Sequence, residues 1–88
     1  MTTSKKDVLN RLASIEGHLR GVRKMIEEDQ YCVDVLKQTY AVERAIQKLE
    51  TVLIEGHLHS CVPEGIAAGR SEAMIRELTE LFAHARRT

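Results

Sequence analysis

Between residues 5 and 28 the apolar side chains Val8, Leu12, Ile15, Leu19, Val22 and Ile26 recur at alternating spacings of four and three. That rhythm is the heptad-like seam of a helix lying along another helix, not the broader stripe of a surface helix. Ser4, just ahead of it, offers a side-chain oxygen to the first free backbone N–H groups and predicts the N-cap. A second segment opens after Glu27-Glu28-Asp29-Gln30 and runs from about Tyr31 to Cys61. Val62-Pro63 predicts its end, because the residue before a proline avoids the helical region. Its apolar residues run from Val33, Val35 and Leu36 through Val42, Ile46, Leu49 and Leu53 to Leu58, and they cover more than one face. Such a helix is expected to be buried on several sides. After a turn at Pro63-Glu64-Gly65, a third helix of about residues 67–86 carries Met74, Leu78, Leu81 and Ala85 on one face and ends in Arg86-Arg87. Strand alternation is nowhere evident. The pattern predicts an all-α fold, a three-helix protomer with a long central helix, in one domain over residues 1–88.

Composition adds the expectation of partners. A single Pro, five Gly and only three aromatic residues favour helix over strand. A chain of 88 residues that forms a few helices buries a modest core unless it oligomerises. The opening run Met1, Thr2, Thr3, Ser4, Lys5, Lys6 lacks the apolar core of a secretion signal, and no apolar run approaches the length that spans a bilayer. A cytoplasmic protein without a membrane partner is therefore expected. In that reducing compartment Cys32 and Cys61 are ligands or reactive thiols before they are a disulfide, with two buried structural cysteines as the plain alternative.

The formal net charge of zero argues against a nucleic-acid partner, but its distribution changes that judgement. Residues 1–25 hold six basic residues, Lys5, Lys6, Arg11, Arg20, Arg23 and Lys24, against Asp7 and Glu16. On a helical wheel Lys6, Arg20 and Lys24 gather opposite the apolar seam, with Lys5 and Arg23 beside them. Several copies in an oligomer would form an extended positive face. An ordinary solvated helix face is the competing reading, and no helix-turn-helix, zinc-finger or ribbon signature strengthens the DNA reading.

The sharpest chemistry lies in Cys32, His57 and Cys61, two soft thiolates and an imidazole, a donor set suited to Cu(I) or zinc. His57 and Cys61 stand four residues apart, which places both on one face of a helix. Cys32 comes 25 residues before His57, and at about 100° per residue it falls within roughly 20° of His57 on the wheel. A continuous helix separates them by roughly 37 Å, so one chain cannot close the site. Two such helices paired antiparallel about a two-fold axis would bring Cys32 of one protomer to His57 and Cys61 of its partner, making two equivalent sites. Soft thiolates prefer Cu(I), and a three-donor set does not offer the octahedral or square-planar shells usual for nickel and cobalt.

Ile15-Glu16-Gly17-His18-Leu19-Arg20-Gly21-Val22, Met25-Ile26-Glu27-Glu28, Tyr31-Cys32-Val33-Asp34-Val35-Leu36-Lys37-Gln38, Ala41-Val42 and His57-Leu58-His59-Ser60-Cys61-Val62 together resemble the CsoR family of copper-sensitive operon repressors. The match covers most of residues 8–62. The resemblance implies an antiparallel four-helix-bundle dimer assembling into a disc-shaped homotetramer, with one Cu(I) per protomer held between protomers. It implies an apo-protein bound to double-stranded operator DNA and released by metal. It places Tyr31 and Glu77 where the family couples the metal site to DNA binding. Arg11, Arg20, Arg23 and Lys24 fall where the family contacts DNA, while a basic patch sometimes found in its second helix is reduced here to Lys48 beside Glu50 and Thr51. Nickel and cobalt relatives add a histidine near the N-terminus, and residues 2–6 here contain none.

The plainer readings divide the remaining candidates. His59, two residues from either ligand, points to the other side of the helix and reads as a surface imidazole. His18 lies between the seam and the basic face, and His84 in a last helical turn; neither is assigned a role. A sensor of another metal, or a thiol sensor of persulfide or aldehyde, fits the same scaffold. A hydrolase does not fit. There is no Gly-rich oxyanion loop, and a His locked in the same helix as the cysteine offers no substrate pocket, so no enzyme is expected.

Overall fold

Ser4 begins the first helix as expected, its Oγ accepting from the Asp7 N–H at 3.3 Å. The computed structural model describes residues 4–85 and is all-α: α1 spans Lys5–Glu27, α2 Cys32–Gly56, a π turn His57–Cys61, α3 Val62–Ala67 and α4 Ser71–Ala85. The expected end of the last helix at residue 86, with Arg86-Arg87, lies outside the described residues, as do Met1, Thr2 and Thr3. No helix among the described residues is long and apolar enough to cross a membrane. Residues 4–55 and residues 56–85 form two compact units.

In the first unit the chain leaves α1 through a Schellman turn. Asp29 takes a left-handed conformation (φ 55°), its N–H donates to the Ile26 carbonyl, and the Gln30 N–H donates back to Met25. The four residues between helices suffice to fold α2 back along α1. Ile15 and Val22 of the predicted seam are buried with Val42 of α2, and Val35, Ala45 and Leu49 pack against them. One polar contact joins the helices: His18 Nε2–H donates to Gln38 Oε1 at 2.7 Å. The seam is covered on one side only, since Leu12, Leu19 and Ile26 stay 40%, 49% and 59% exposed. On α2, Val33, Leu36 and Ile46 are likewise 40–47% exposed, so a single chain does not bury this helix on several sides as its pattern predicts. The apolar surface exceeds what two helices can cover on each other.

In the second unit the proline does not end the helix. Val62 keeps helical dihedrals (φ −68°, ψ −52°) and Pro63 sits in the first turn of α3. There its missing N–H costs nothing within α3, since first-turn N–H groups have no intrahelical partner. The carbonyl four residues before it, which the ring would crowd in a regular helix, belongs to His59 inside the π turn. The wider turn relieves that crowding. The expected turn at Pro63-Glu64-Gly65 therefore moves to Ala68-Gly69-Arg70, a second Schellman motif in which Gly69 holds φ +80° and the Arg70 N–H donates to Gly65 at 2.8 Å. The last helix starts at Ser71, not at residue 67. Gly65 is a packing slot: a Cβ there would stand 2.5 Å from Met74 Sδ and 2.8 Å from its Cγ, and Met74 is buried. Gly65→Ala is expected to destabilise this unit by about 1–3 kcal/mol through overpacking. Thermal unfolding followed by circular dichroism checks this, and an unchanged midpoint would contradict the close approach.

Candidate metal centre

Cys32 is the first residue of α2 and is exposed. The Tyr31 carbonyl closes the turn around it, accepting from the Asp34 and Val35 N–H groups at 3.0 and 3.2 Å, while Tyr31 itself is 69% exposed. Beside Cys32 lies an open cavity of about 490 Å³ lined by Ile26, Asp29, Gln30, Val35 and Leu36. The thiol thus stands at the edge of a largely apolar recess with room in front of it.

His57 and Cys61 begin and end the π turn, not a regular α-helical turn as their spacing predicts. Its defining bond runs from the Val62 N–H to the His57 carbonyl, one residue longer than in an α-helix. A wider turn advances less angle per residue, so the fourth residue on comes back closer to the line of the first. The geometry therefore sharpens the shared face that the spacing suggests. Cys61 is half-buried and both cysteines are free thiols. His57 Nε2 is buried without a hydrogen-bond partner, and Glu77 Oε2 of α4 lies 3.6 Å from it. That distance is too long for a hydrogen bond and short enough for an ion pair or for closure by a small side-chain movement. Glu77 is thus placed against the imidazole, a contact that twenty residues of separation hide from any local sequence signal. Among the described residues no three His, Cys, Asp or Glu side chains gather closely enough to hold an ion. The donor chemistry, two thiols and an imidazole with an unsatisfied nitrogen facing a carboxylate, suits a soft ion.

The basic candidates divide by their partners. Arg11 is paired with Asp7 at 3.2 Å and Arg23 with Glu27 at 3.6 Å, both one helical turn apart and exposed. Arg20 and Lys24 are exposed and make no ion pair among the described residues. His59 and His84 are exposed. His18, given no role from its sequence position, is the residue that reaches across to α2.

The family model for a metal-sensitive transcriptional repressor matches residues 4–84. The copper-sensing transcriptional repressor CsoR of Bacillus subtilis is 44% identical over 78 residues, spanning 89% of this chain and 77% of that protein. That of Mycobacterium tuberculosis is 39% identical over 80 residues, spanning 91% and 67%. Among solved structures, the copper-sensing repressor CsoR with Cu(I) from Geobacillus thermodenitrificans superposes with a TM-score of 0.89 at 34% identity, covering 96% of this chain and 88% of that one. The nickel-responsive transcriptional regulator InrS superposes with a TM-score of 0.79 at 33% identity, covering 96% and 94%. These are regulators rather than enzymes, and with a matching model across nearly its whole length the chain belongs to the family of metal-sensitive transcriptional repressors.

Proposed function

We propose that this chain is a copper-sensing transcriptional repressor whose apo form holds operator DNA and whose Cu(I)-loaded form releases it. The observation that carries the reading is the donor set, Cys32 at the head of α2 and His57 with Cys61 on the π turn after it, in a chain 39–44% identical to copper-sensing repressors. The fold alone does not choose the metal, since the nickel-responsive regulator shares it. The thiolates choose it. Soft sulfur favours Cu(I), and residues 2–6 offer no additional histidine to complete a nickel shell.

Cys32 of one protomer and His57 and Cys61 of its partner form the site. Support comes from α2 itself: a helix of 25 residues is about 37 Å long, and the donors lie at its first residue and beyond its last. Exposed Leu12, Leu19 and Ile26 of α1, with Leu36 and Ile46 of α2, supply the apolar surface that a second copy would cover. An antiparallel four-helix-bundle dimer satisfies both demands, and pairs of dimers make the tetramer. Each protomer then contributes to one Cu(I). When bound, that ion supplies a link between two chains. Glu77 orients His57 through Nε2, which leaves Nδ1 as the ligating nitrogen. Tyr31, adjoining Cys32, lies where it can sense that link.

Protomer mixing tests the sharing. Heterodimers of Cys32→Ala with the double variant His57→Ala/Cys61→Ala are expected to recover one tight Cu(I) site, because all three intact donors meet at one of the two positions. Anaerobic titration of the verified heterodimer, with Zn(II) and Ni(II) in parallel, reads the result. No recovery of tight binding overturns the intersubunit site, and preference for Ni(II) overturns the copper assignment.

A further inference from the structure

The core contacts and one hydrogen bond fix how α1 lies on α2 within residues 4–55. His18 meets Gln38, and Ile15 and Val22 are buried with Val42. Two turns back from His18 is Arg11, and two turns on from Gln38 is Ala45, so in an antiparallel pair these lie level. Ala45 is flanked along α2 by Arg44 and Lys48, both exposed and without an ion pair among the described residues. On the helical wheel Val35, Val42 and Leu49 turn from the line of Gln38 toward the core, whereas Arg44 and Lys48 turn roughly 80–120° the other way, toward solvent. Arg11 lies within about 20° of His18 on its own helix. Three cations from two helices therefore share one side of the helix pair, next to the only polar bridge that joins α1 to α2 among the described residues. The Arg11–Asp7 ion pair does not disqualify Arg11. Pairs exposed to this degree contribute under about 1 kcal/mol, so a phosphate can compete for the guanidinium.

We propose that the His18–Gln38 hydrogen bond is a positioning contact for operator binding: it holds α1 on α2 so that Arg11, Arg44 and Lys48 form one phosphate-contacting surface. The inference rests on the repressor reading above and moves the second-helix contribution from Lys48 alone to Arg44 and Lys48 together. Apolar packing by Ile15, Val22 and Val42 tolerates small sliding of one helix on the other, whereas a hydrogen bond of 2.7 Å does not. His18 and Gln38 act through the spacing of the cations and are positioning residues that do not themselves touch DNA.

The test measures apo-protein on a duplex from its own promoter region over a range of salt. Removing one cation from the phosphate backbone lowers the slope of log affinity against log salt by about 0.9. Arg44→Gln/Lys48→Gln is expected to reduce the slope by roughly two such steps for each DNA-contacting protomer, with Cu(I) affinity unchanged. His18→Leu is expected to lower operator affinity about tenfold, while His18→Gln, whose amide can still donate to Gln38, restores it. In the Arg44→Gln/Lys48→Gln background His18→Leu is expected to change little further, a non-additivity that general loss of stability would not produce. If His18→Leu fails to fold by circular dichroism, Gln38→Ala, on a more exposed residue, repeats the arm. Wild-type slope in Arg44→Gln/Lys48→Gln overturns the surface, and wild-type affinity in His18→Leu overturns the positioning role. Failure of the wild-type protein to prefer its promoter over random duplex overturns the repressor reading itself.

Discussion

Replacing Cys61 by alanine is expected to weaken Cu(I) binding by roughly a hundred- to thousandfold, and Cys32→Ala and His57→Ala to do the same. The magnitude follows from sharing. Tight protein metal sites are worth on the order of 10–16 kcal/mol in all, so each of a few donors carries about 3–4 kcal/mol, and every 1.4 kcal/mol is tenfold in affinity. Cys32 is exposed at a helix start and Cys61 sits half-buried on the π turn, so neither substitution opens a large cavity and the helical fold should persist. His57→Ala also removes the buried unpartnered Nε2 opposite Glu77, which makes a gain in thermal stability the expected companion of the weakened site. Anaerobic competition against a Cu(I) chelator measures the affinity, with circular dichroism reporting the fold. Wild-type affinity in Cys61→Ala would remove that residue from the site.

Much of the fold is legible in the sequence because periodicity reports helices directly. The alternation of Val8, Leu12, Ile15, Leu19, Val22 and Ile26 gives α1, and Ser4 gives its cap. What the sequence hides is what local rules treat as punctuation. Pro63 and Gly65 read as a turn, yet Pro63 occupies the first turn of α3 and Gly65 gives up its side chain to Met74. The chain turns instead at Gly69, where φ +80° demands a glycine. The donor residues are legible from type and spacing alone, but the π turn that carries His57 and Cys61 is not, since no spacing rule announces an extra residue in a helical turn. Glu77 reaches His57, and His18 reaches Gln38, across helix pairs. Contacts of that kind are set by how helices pack, which one chain's pattern does not specify. Exposure of Leu12, Leu19 and Ile26 shows the converse: the seam calls for more cover than this chain supplies.

Loading the protein with one Cu(I) per protomer is expected to lower its operator affinity by about 5- to 150-fold, the usual span of a coupling free energy of 1–3 kcal/mol. The larger consequence concerns Glu77. Its carboxylate stands 3.6 Å from His57 Nε2, one hydrogen-bond closure away from a contact that ligation at the other ring nitrogen would strengthen. Glu77 belongs to α4, so that closure would connect the ligand to a separate helix of the second unit. Glu77→Ala is therefore expected to keep the Cu(I) site, at a cost of roughly tenfold in affinity rather than the loss of a ligand. At saturating Cu(I) its operator release should fall toward no effect, and Tyr31→Phe should blunt release with less change in affinity. Anisotropy of a labelled operator duplex, measured with apo and loaded protein, separates the two quantities. Because coupling is reciprocal, operator DNA should weaken Cu(I) binding by the same factor in the wild-type protein and by little in Glu77→Ala. Tighter DNA binding on loading would reverse the sign of the proposed switch. Full release in Glu77→Ala would mean that the contact between α4 and His57 carries none of it.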